Sequence, residues 1–202
     1  MVGDEAALRY ARRDLSTLET AIRCTPGRNV VVQAGGSLGV FAQRLAEDFR
    51  AVYCFEPDPV IFRKLARNVP EDNVVLIQAA LGKRNQFVST VRARREKLHM
   101  PPHDGVTHVA GAGIVPTLRL DDVGFATCDL LVLDLEGMEL FALHGAKDLL
   151  ERCRPVVMVE AHGLGRHYGL RDDDLRAWLR IMDYEFVERV HSDEIWRPYN
   201  RS

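Results

Sequence analysis

The chain has 202 residues, of which 47% are hydrophobic and 28% charged, and its formal net charge is −2 at pH 7. This composition excludes intrinsic disorder, collagen-like repeats and a small protein built on disulfides, and the length fits a single domain with a sizeable core. The balanced charge gives no overall electrostatic reason to expect nucleic-acid or membrane-surface binding. We therefore expect one domain over residues 1–202.

Targeting and redox signals are weak in this sequence. No apolar run is long enough to cross a membrane, and the first residues are acidic where a secretory signal would be basic and then apolar. The four cysteines contain no C-x-x-C pair. These features predict a cytoplasmic protein whose cysteines are reduced thiols.

Short apolar runs alternate with helical stripes along most of the chain. Leu15, Leu18 and Ile22 recur at helical spacing and predict an amphipathic N-terminal helix within residues 1–28. The apolar runs predict buried strands at 30–32, 51–55, 74–77, 130–133 and 156–159. Helices are predicted at 38–49, 59–68, 138–149 and 175–182. Strands separated by helices indicate a mostly parallel α/β sheet with right-handed crossovers and helices on both faces.

Two further segments depart from this alternation. Residues 184–190 and 195–199 predict two closing strands with no room for a helix between them, so an antiparallel C-terminal strand is expected. Residues 82–116 predict a hairpin followed by a long mobile loop, because alternating Phe87, Ser89 and Val91 give way to a basic cluster at 92–97 and then to Pro and Gly. We interpret this segment as a lid that contributes to substrate binding.

The first strand leads into a glycine-rich turn. Gly35 and Gly39 fit the G-x-x-x-G spacing of methyltransferases, whereas Ala34 replaces the first glycine of the dinucleotide fingerprint G-x-G-x-x-G. Glu56 ends the second strand, where a carboxylate can accept hydrogen bonds from the hydroxyls of an adenosine ribose. These features favour S-adenosylmethionine over a nicotinamide dinucleotide.

Acidic residues and one histidine follow the fourth and fifth predicted strands. Asp134 and Glu136 end the fourth strand, and Glu160 and His162 end the fifth. The carboxyl ends of parallel strands meet at one edge of a sheet, so these side chains are expected to gather there. Glu139 is explained by the preference of acidic residues for helix N-termini.

Five segments resemble the FkbM-type methyltransferases. They are VQAGGSLG at 32–39, FEPDP at 55–59, LRLDDV at 118–123, DLLVLDLEGME at 129–139 and PVVMVEAH at 155–162. The resemblance implies a class I, Rossmann-like, S-adenosylmethionine-dependent fold and methyl transfer to a hydroxyl oxygen, often on a sugar or natural product. The chain departs from the family pattern in having Gln33 where Asp is general and Gly36 where Ala is usual.

The cofactor site expected from these patterns includes both turns and two strand ends. Its members are Gln33, Gly35, Gly36, Ser37, Gly39, Glu56, Pro57, Gln78, Ala79 and Asp134. Transfer to a hydroxyl needs a base, and Asp134 and His162 rank above Glu136 for that role. In a variant of this mechanism, Asp134, Glu160 and His162 would hold Mg²⁺.

Other functions remain open at this stage. A degenerate cofactor-binding module used for assembly is one alternative, and Gln33 is the main argument for it. An NAD(P)-binding oxidoreductase is a weaker one. The expected partner is a small-molecule or carbohydrate acceptor rather than nucleic acid or membrane, and a homodimer is left open.

Overall fold

The computed structural model describes residues 15–92 and 107–199. The helices are α1 (Leu15–Cys24), α2 (Val40–Asp48), α3 (Pro59–Asn68), α4 (Glu139–His144), α5 (Lys147–Cys153) and α6 (Asp172–Ile181). The strands are β1 (Val30–Ala34), β2 (Ala51–Phe55), β3 (Val74–Ile77), β4 (Ala80–Leu81), β5 (Gln86–Arg92), β6 (Thr107–Leu118), β7 (Leu130–Leu133), β8 (Val156–Glu160), β9 (Tyr184–Val190) and β10 (Asp193–Pro198). Within these described ranges, no helix is both long and apolar enough to cross a membrane.

Seven strands form the main sheet in the order β3-β2-β1-β7-β8-β10-β9. The first five strands are parallel to one another, and β10 runs antiparallel to both β8 and β9. The prediction of a mostly parallel sheet with an antiparallel C-terminal strand is therefore confirmed. Strand order reverses between β1 and β7, and ligands of open α/β sheets bind at such a reversal, outside the carboxyl ends of the strands.

Alternate residues of each central strand enter two separate apolar layers. Val31 and Leu130 pack with helix α1 and with Leu45 of α2, whereas Val32 and Leu131 pack with helices α4, α5 and α6. Burial on both faces explains why these strands appear as continuous apolar runs in the sequence. The prediction of a buried strand at 74–77 is wrong in its burial: β3 ends the sheet, so its residues are only partly buried and Val75 is 46% exposed.

The single helix predicted over 138–149 is two helices in the structure. Helix α4 ends at His144 and α5 begins at Lys147, with Gly145 between them. A Cβ on Gly145 would lie 2.1 Å from the carbonyl oxygen of Gly82, so the chain breaks the helix where it passes close to another backbone segment. The apolar stripe continues across the break, which is why the sequence does not reveal it.

The prediction of a loop through residue 116 is wrong for its second half. Residues 107–118 form β6, which pairs antiparallel with β5 and parallel with the short β4 in a second, three-stranded sheet. The pairing register shifts opposite Val88, and Gly111 has a φ of +53° there, which is typical of a β-bulge. Residues 93–106, with most of the basic cluster, lie outside the described residues, as do residues 1–14 of the predicted N-terminal helix.

The antiparallel end of the main sheet contains a buried carboxylate. Glu194 of β10 is 2% exposed. Its Oε1 accepts a hydrogen bond of 2.9 Å from Arg176 and another from Arg189, and its Oε2 accepts one of 3.1 Å from the indole of Trp196. These bonds join helix α6 to strands β9 and β10. By contrast, the ion pair between Glu185 and Arg197 lies at the surface.

Replacement of Glu194→Gln is expected to lower the free energy of unfolding by about 1–3 kcal/mol, because a buried, charge-assisted set of hydrogen bonds is lost. The matched surface variant Glu185→Gln is expected to change it by less than about 0.5 kcal/mol. Urea denaturation of both variants beside the wild type measures the difference. Equal effects of the two variants would contradict a stabilising role for the buried carboxylate.

Candidate functional site

The candidate site lies at the carboxyl ends of β1, β2, β7 and β8, on both sides of the reversal in strand order. The turn after β1 begins here. The N–H groups of Gly35 and Gly36 both donate to the carbonyl oxygen of Phe55, at 3.0 and 2.9 Å, so the turn is tied to the end of β2. The two turns that the sequence predicts as a cofactor site are therefore adjacent.

Two of the glycines are required by close approach of the backbone. Gly35 has a φ of +91°, and a Cβ there would lie 2.0 Å from the carbonyl oxygen of Asp134. A Cβ on Gly36 would lie 2.8 Å from Cys54 Sγ. Side chains at either position would push the turn away from β7 and β2. The turn therefore lies tightly against the ends of both strands, with Gly36 buried and Gly35 partly buried.

Glu56 orders both turns through its carboxylate. Glu56 is buried, with 5% of its surface exposed. Its Oε2 accepts a 2.9 Å hydrogen bond from the Ser37 N–H, and its Oε1 accepts a 2.9 Å bond from the Asp58 N–H. Burial raises the pKa of Glu56 to about 7, even though these two hydrogen bonds act to lower it. A carboxylate has about four acceptor positions, so Glu56 can still accept from ligand hydroxyls.

Gln33 lies beneath the glycine turn. The residue is 1% exposed, its Nε2 donates to the Gly35 carbonyl at 2.8 Å, and its Oε1 accepts from the Cys54 thiol at 2.8 Å. Both ends of the amide are therefore engaged by the protein. The structure gives Gln33 a role in shaping the turn. A neutral amide suits this buried position, because an isolated charge there would be costly to desolvate.

The remaining predicted cofactor residues surround this turn. Ser37, with a φ of +46°, and Gln78 are exposed, Pro57 is partly buried, and Ala79 is buried. The Glu56 N–H donates to the Ile77 carbonyl, which brings the end of β3 beside Glu56. Gly39 also has a φ of +91° and packs against Val69. The predicted set therefore lies at one edge, with exposed and buried members.

Glu139 lies in the first turn of α4, as the preference of acidic residues for helix N-termini predicts, and it has a second role. It is 5% exposed and does more than place charge at the start of α4. Its Oε1 accepts hydrogen bonds from the N–H groups of Leu135 and Gly137, at 2.8 and 3.1 Å, and so folds the turn after β7. Burial raises the pKa of Glu139 to about 7. The signal was present in the sequence, since a carboxylate four residues after the turn begins can reach back to cap it.

The turn that Glu139 folds also sets the position of Glu136. Glu136 has a φ of +53° and Gly137 a φ of +102°. A Cβ on Gly137 would lie 2.6 Å from the Leu164 carbonyl oxygen, so only glycine allows the turn to pack against the segment after β8. A left-handed conformation at Glu136 interrupts the strand alternation, so the strand period does not make Asp134 and Glu136 point in the same direction.

The predicted residues Asp134, Glu160 and His162 come together at the ends of β7 and β8. Glu160 Oε1 lies 3.2 Å from His162 Nδ1, and the imidazole is 41% exposed. Burial raises the pKa of Glu160 well above its usual range, and the charges of Asp134 and Glu136 and a hydrogen bond with Asp134 add to the rise. Burial and the neighbouring charges therefore favour the neutral form of Glu160.

The contact with Glu160 gives the imidazole a defined direction. Because Nδ1 faces Glu160, Nε2 is the nitrogen turned away from it. Asp134 is exposed, so an aspartate carboxylate and an imidazole nitrogen both lie at this edge. Across residues 15–92 and 107–199, no group of three His, Cys, Asp or Glu side chains could hold a metal ion. The three residues of the Mg²⁺ variant, Asp134, Glu160 and His162, nevertheless lie together at this edge.

Comparison with known proteins connects this geometry to a family. A family model described as the methyltransferase FkbM domain matches residues 40–186, which is more than half of the chain. No curated protein matches the sequence. A solved methyltransferase FkbM from Methylobacillus flagellatus KT superposes with a TM-score of 0.54 and 17% identity, over 85% of this chain and 43% of that one. The chain spans less than half the length of that relative.

Two other solved structures cover the fold more evenly. SMU.1697c, a putative methyltransferase from Streptococcus mutans in complex with SAH, gives a TM-score of 0.55 at 11% identity over 91% of this chain and 94% of that one. Magnesium protoporphyrin IX methyltransferase from Synechocystis PCC 6803, with bound SAM, gives 0.51 at 12% identity over 96% and 78%. The expected class I methyltransferase fold is therefore confirmed.

The raised pKa of Glu139 predicts a pH dependence of stability. Its ordinary value is 4.5 and its folded value is about 7, so the folded state binds this proton more tightly than the unfolded state. The associated stability is present below about pH 4.5 and is lost as the pH rises through 7. Glu139→Gln keeps an acceptor for the turn but does not ionise. Its stability relative to wild type is expected to rise by about 1–3 kcal/mol between pH 4.5 and 7.5.

Urea denaturation across this pH range measures the difference between variant and wild type. The matched control is Glu151→Gln, because the Glu151 side chain is 55% exposed and only pairs with Lys147 at 3.6 Å. Its difference from wild type is expected to stay flat. A flat difference for Glu139→Gln as well would show that Glu139 ionises normally in the folded protein.

Proposed function

Because the chain belongs to the FkbM methyltransferase family, we propose that it is an S-adenosylmethionine-dependent enzyme that methylates a hydroxyl oxygen of a small-molecule or carbohydrate acceptor. The observation that carries this proposal is the glycine turn beside Glu56, with Asp134, Glu160 and His162 on the opposite side of the strand reversal. One side suits a nucleoside and the other suits proton transfer.

The residues present fit this cofactor. A Cβ at Gly35 or Gly36 would clash with the ends of β7 and β2, so only glycines let the turn lie at this edge, where the partly buried Gly35 and the exposed Ser37 could meet a ligand. Glu56 would accept hydrogen bonds from the ribose hydroxyls, and Gln78 lies at the exposed end of β3 beside it. Asp134 would face the positively charged methionine end, because carboxylates stabilise a nearby cation. The SAM- and SAH-bound structures of similar fold support this choice.

The protein's part in the reaction is to position the acceptor and remove a proton. When bound, S-adenosylmethionine supplies a methyl group on a positively charged sulfur. The acceptor hydroxyl must then be held in line with that methyl group, and such positioning can supply much of the acceleration. An oxygen–carbon bond would form as the sulfur–methyl bond breaks and leaves its electron pair on sulfur, and the hydroxyl proton would pass to Asp134 or to Nε2 of His162. Glu160 orients the imidazole from its Nδ1 side.

A cofactor-binding module without turnover is the second candidate. Gln33 favours it, because this residue is neutral and both ends of its amide are already hydrogen-bonded within the protein. Such a module would bind the cofactor and transfer no methyl group. Turnover measurements therefore separate the two candidates.

Titration calorimetry with S-adenosylmethionine and its demethylated product tests the cofactor. Glu56→Gln is expected to weaken binding of both about 10- to 100-fold, because a charge-assisted contact to the ribose is lost. The control Glu47→Gln alters a 73% exposed carboxylate on α2 and should leave affinity unchanged. Binding of NADH by a wild-type protein that binds neither compound would instead favour an oxidoreductase.

Replacement of Asp134→Asn and of His162→Asn tests the proposed base. Transfer of a labelled methyl group to a panel of hydroxyl-bearing acceptors is expected to fall about 10²- to 10⁴-fold in the variant that removes the base. Affinity for the demethylated cofactor should change little for His162→Asn. The exposed His191 provides the control variant His191→Asn, which should keep full activity. Full turnover in both site variants would rule out both residues as the base.

A further inference from the structure

A cavity lies beside the cluster of Asp134, Glu139 and Glu160. It has a volume of about 430 Å³ and lies between strands β5 and β6, helix α4 and the segment after β8. Pockets of this size hold small molecules rather than macromolecules. Phe87, Phe141, Tyr168 and Met138 form its apolar walls, and Lys83 and Arg84 provide its charged side. Nothing in the mechanism above uses these residues.

The two cations stand on a fixed backbone segment. The Gly82 N–H donates to the Leu118 carbonyl at 3.0 Å, and Asn85 both accepts from the Arg119 N–H at 2.8 Å and donates to Asp122 at 2.6 Å. Gly145 packs against the Gly82 carbonyl from the other side. The short segment between β4 and β5 is therefore held at both ends, which limits the entropy lost when its side chains bind a ligand.

The charge in this cavity is positive. None of its lining residues is acidic, and no carboxylate within the described residues forms an ion pair with Lys83 or Arg84. The ammonium group of Lys83 lies 4.8 Å from the ring centroid of Phe141, within the range of a cation–π contact. The two cations are therefore available to an anionic ligand next to an aromatic surface.

The aromatic walls are arranged for stacking a ring. Phe87 lines the cavity and is 65% exposed, so its ring is accessible to a ligand. Tyr168 and Phe141 meet edge to face with centroids 6.2 Å apart, and the Tyr168 hydroxyl donates to the Val109 carbonyl at 3.1 Å. That hydrogen bond holds the Tyr168 ring against β6. An apolar or aromatic ligand would cover Phe87 and contact both fixed rings.

The cavity adjoins the proposed catalytic edge. Met138 follows Gly137 directly and begins the turn into α4, so one wall continues from the turn that Glu139 folds. Burial raises the pKa of Tyr168, and the nearby charges of Glu139 and Glu136 add to the rise. Tyr168 therefore lies at the boundary between the positive cavity and the carboxylates.

We propose that this cavity binds the acceptor, and that the acceptor carries an anionic group, phosphate or carboxylate, on an aromatic or apolar ring. Lys83 and Arg84 bind the anionic group, and Phe87, Phe141 and Tyr168 contact the ring. This inference rests on the proposed function, since it identifies the bound molecule as the methyl acceptor. Its binding chemistry, however, is measurable without any turnover.

Four probes separate the contribution of the anionic group from that of the ring. They are phenyl phosphate, benzoate, phenol and inorganic phosphate. Their affinities for the full chain are measured by NMR titration, with and without the demethylated cofactor. Phenyl phosphate or benzoate is expected to bind at least about tenfold more tightly than phenol, because charged hydrogen bonds are added to ring contact. Whichever of the two binds more tightly identifies the preferred anion.

Paired variants locate the binding. Lys83→Gln/Arg84→Gln is expected to weaken the anionic probes about tenfold and leave phenol unchanged. The matched control Arg63→Gln/Arg67→Gln removes two exposed cations on α3 and should have no effect. Phe87→Ser should weaken phenyl phosphate but not inorganic phosphate, whereas Ile181→Ser, at a 78% exposed residue, should change neither.

The outcomes distinguish the two proposals. Equal losses in the two double variants, equal affinity for phenol and the anions, or no binding of any probe would overturn the assignment of this cavity. If the wild-type protein binds neither S-adenosylmethionine nor its product, the proposed function is overturned. The probe titrations without cofactor still report on the cavity, so the two failures can be told apart. Tight binding of single-stranded oligonucleotides through Lys83 and Arg84 would also overturn a small-molecule acceptor.

Discussion

The carboxylate of Glu56 is buried, and it accepts hydrogen bonds from two turns that belong to different strands. Burying this group without partners would be costly, so its geometry is fixed by the N–H groups that stabilise it. The glycine turn is then held close to the end of β2, and Gly35 brings it against the end of β7. The positions of Asp134 and the glycine turn relative to each other follow from these contacts.

Glu139 repeats the same device on the other side of the strand reversal. It too is buried, accepts two backbone hydrogen bonds from a turn that follows a strand, and has a pKa raised to about 7 by burial. Both carboxylates stabilise irregular backbone at the edge of the sheet, where no ladder supplies partners. Their raised pKa values show that these turns are obtained at some cost in stability, which is common where a fold builds a binding site.

Sequence patterns predicted those features that depend on local spacing. Apolar runs predicted the parallel strands, and the Gly35 turn together with Glu56 at the end of the second strand predicted one site made of both turns. The position of Glu139 at a helix start was predicted correctly, but its burial and its bonds to the preceding turn were not, because the helix-start preference of acidic residues does not depend on burial. Residues 107–116 were misassigned because Gly and Pro usually indicate loops, whereas here Gly111 forms a bulge within a strand. The cation–π contact of Lys83 with Phe141 joins segments that are far apart in the sequence, so no local sequence pattern predicts it.

The net charge of −2 conceals a separation of charge along one edge of the molecule. Carboxylates gather at the ends of β7 and β8, while Lys83 and Arg84 stand on the adjoining cavity. On the proposal made here, an acceptor with an anionic group can enter in one orientation only, because the reverse would place that group against Asp134 and Glu136. Repulsion between like charges lowers the affinity for the reversed orientation and leaves the affinity for the correct orientation almost unchanged. The separated charges would thus direct the acceptor's uncharged hydroxyl toward Asp134 and His162, which is the orientation that methyl transfer requires.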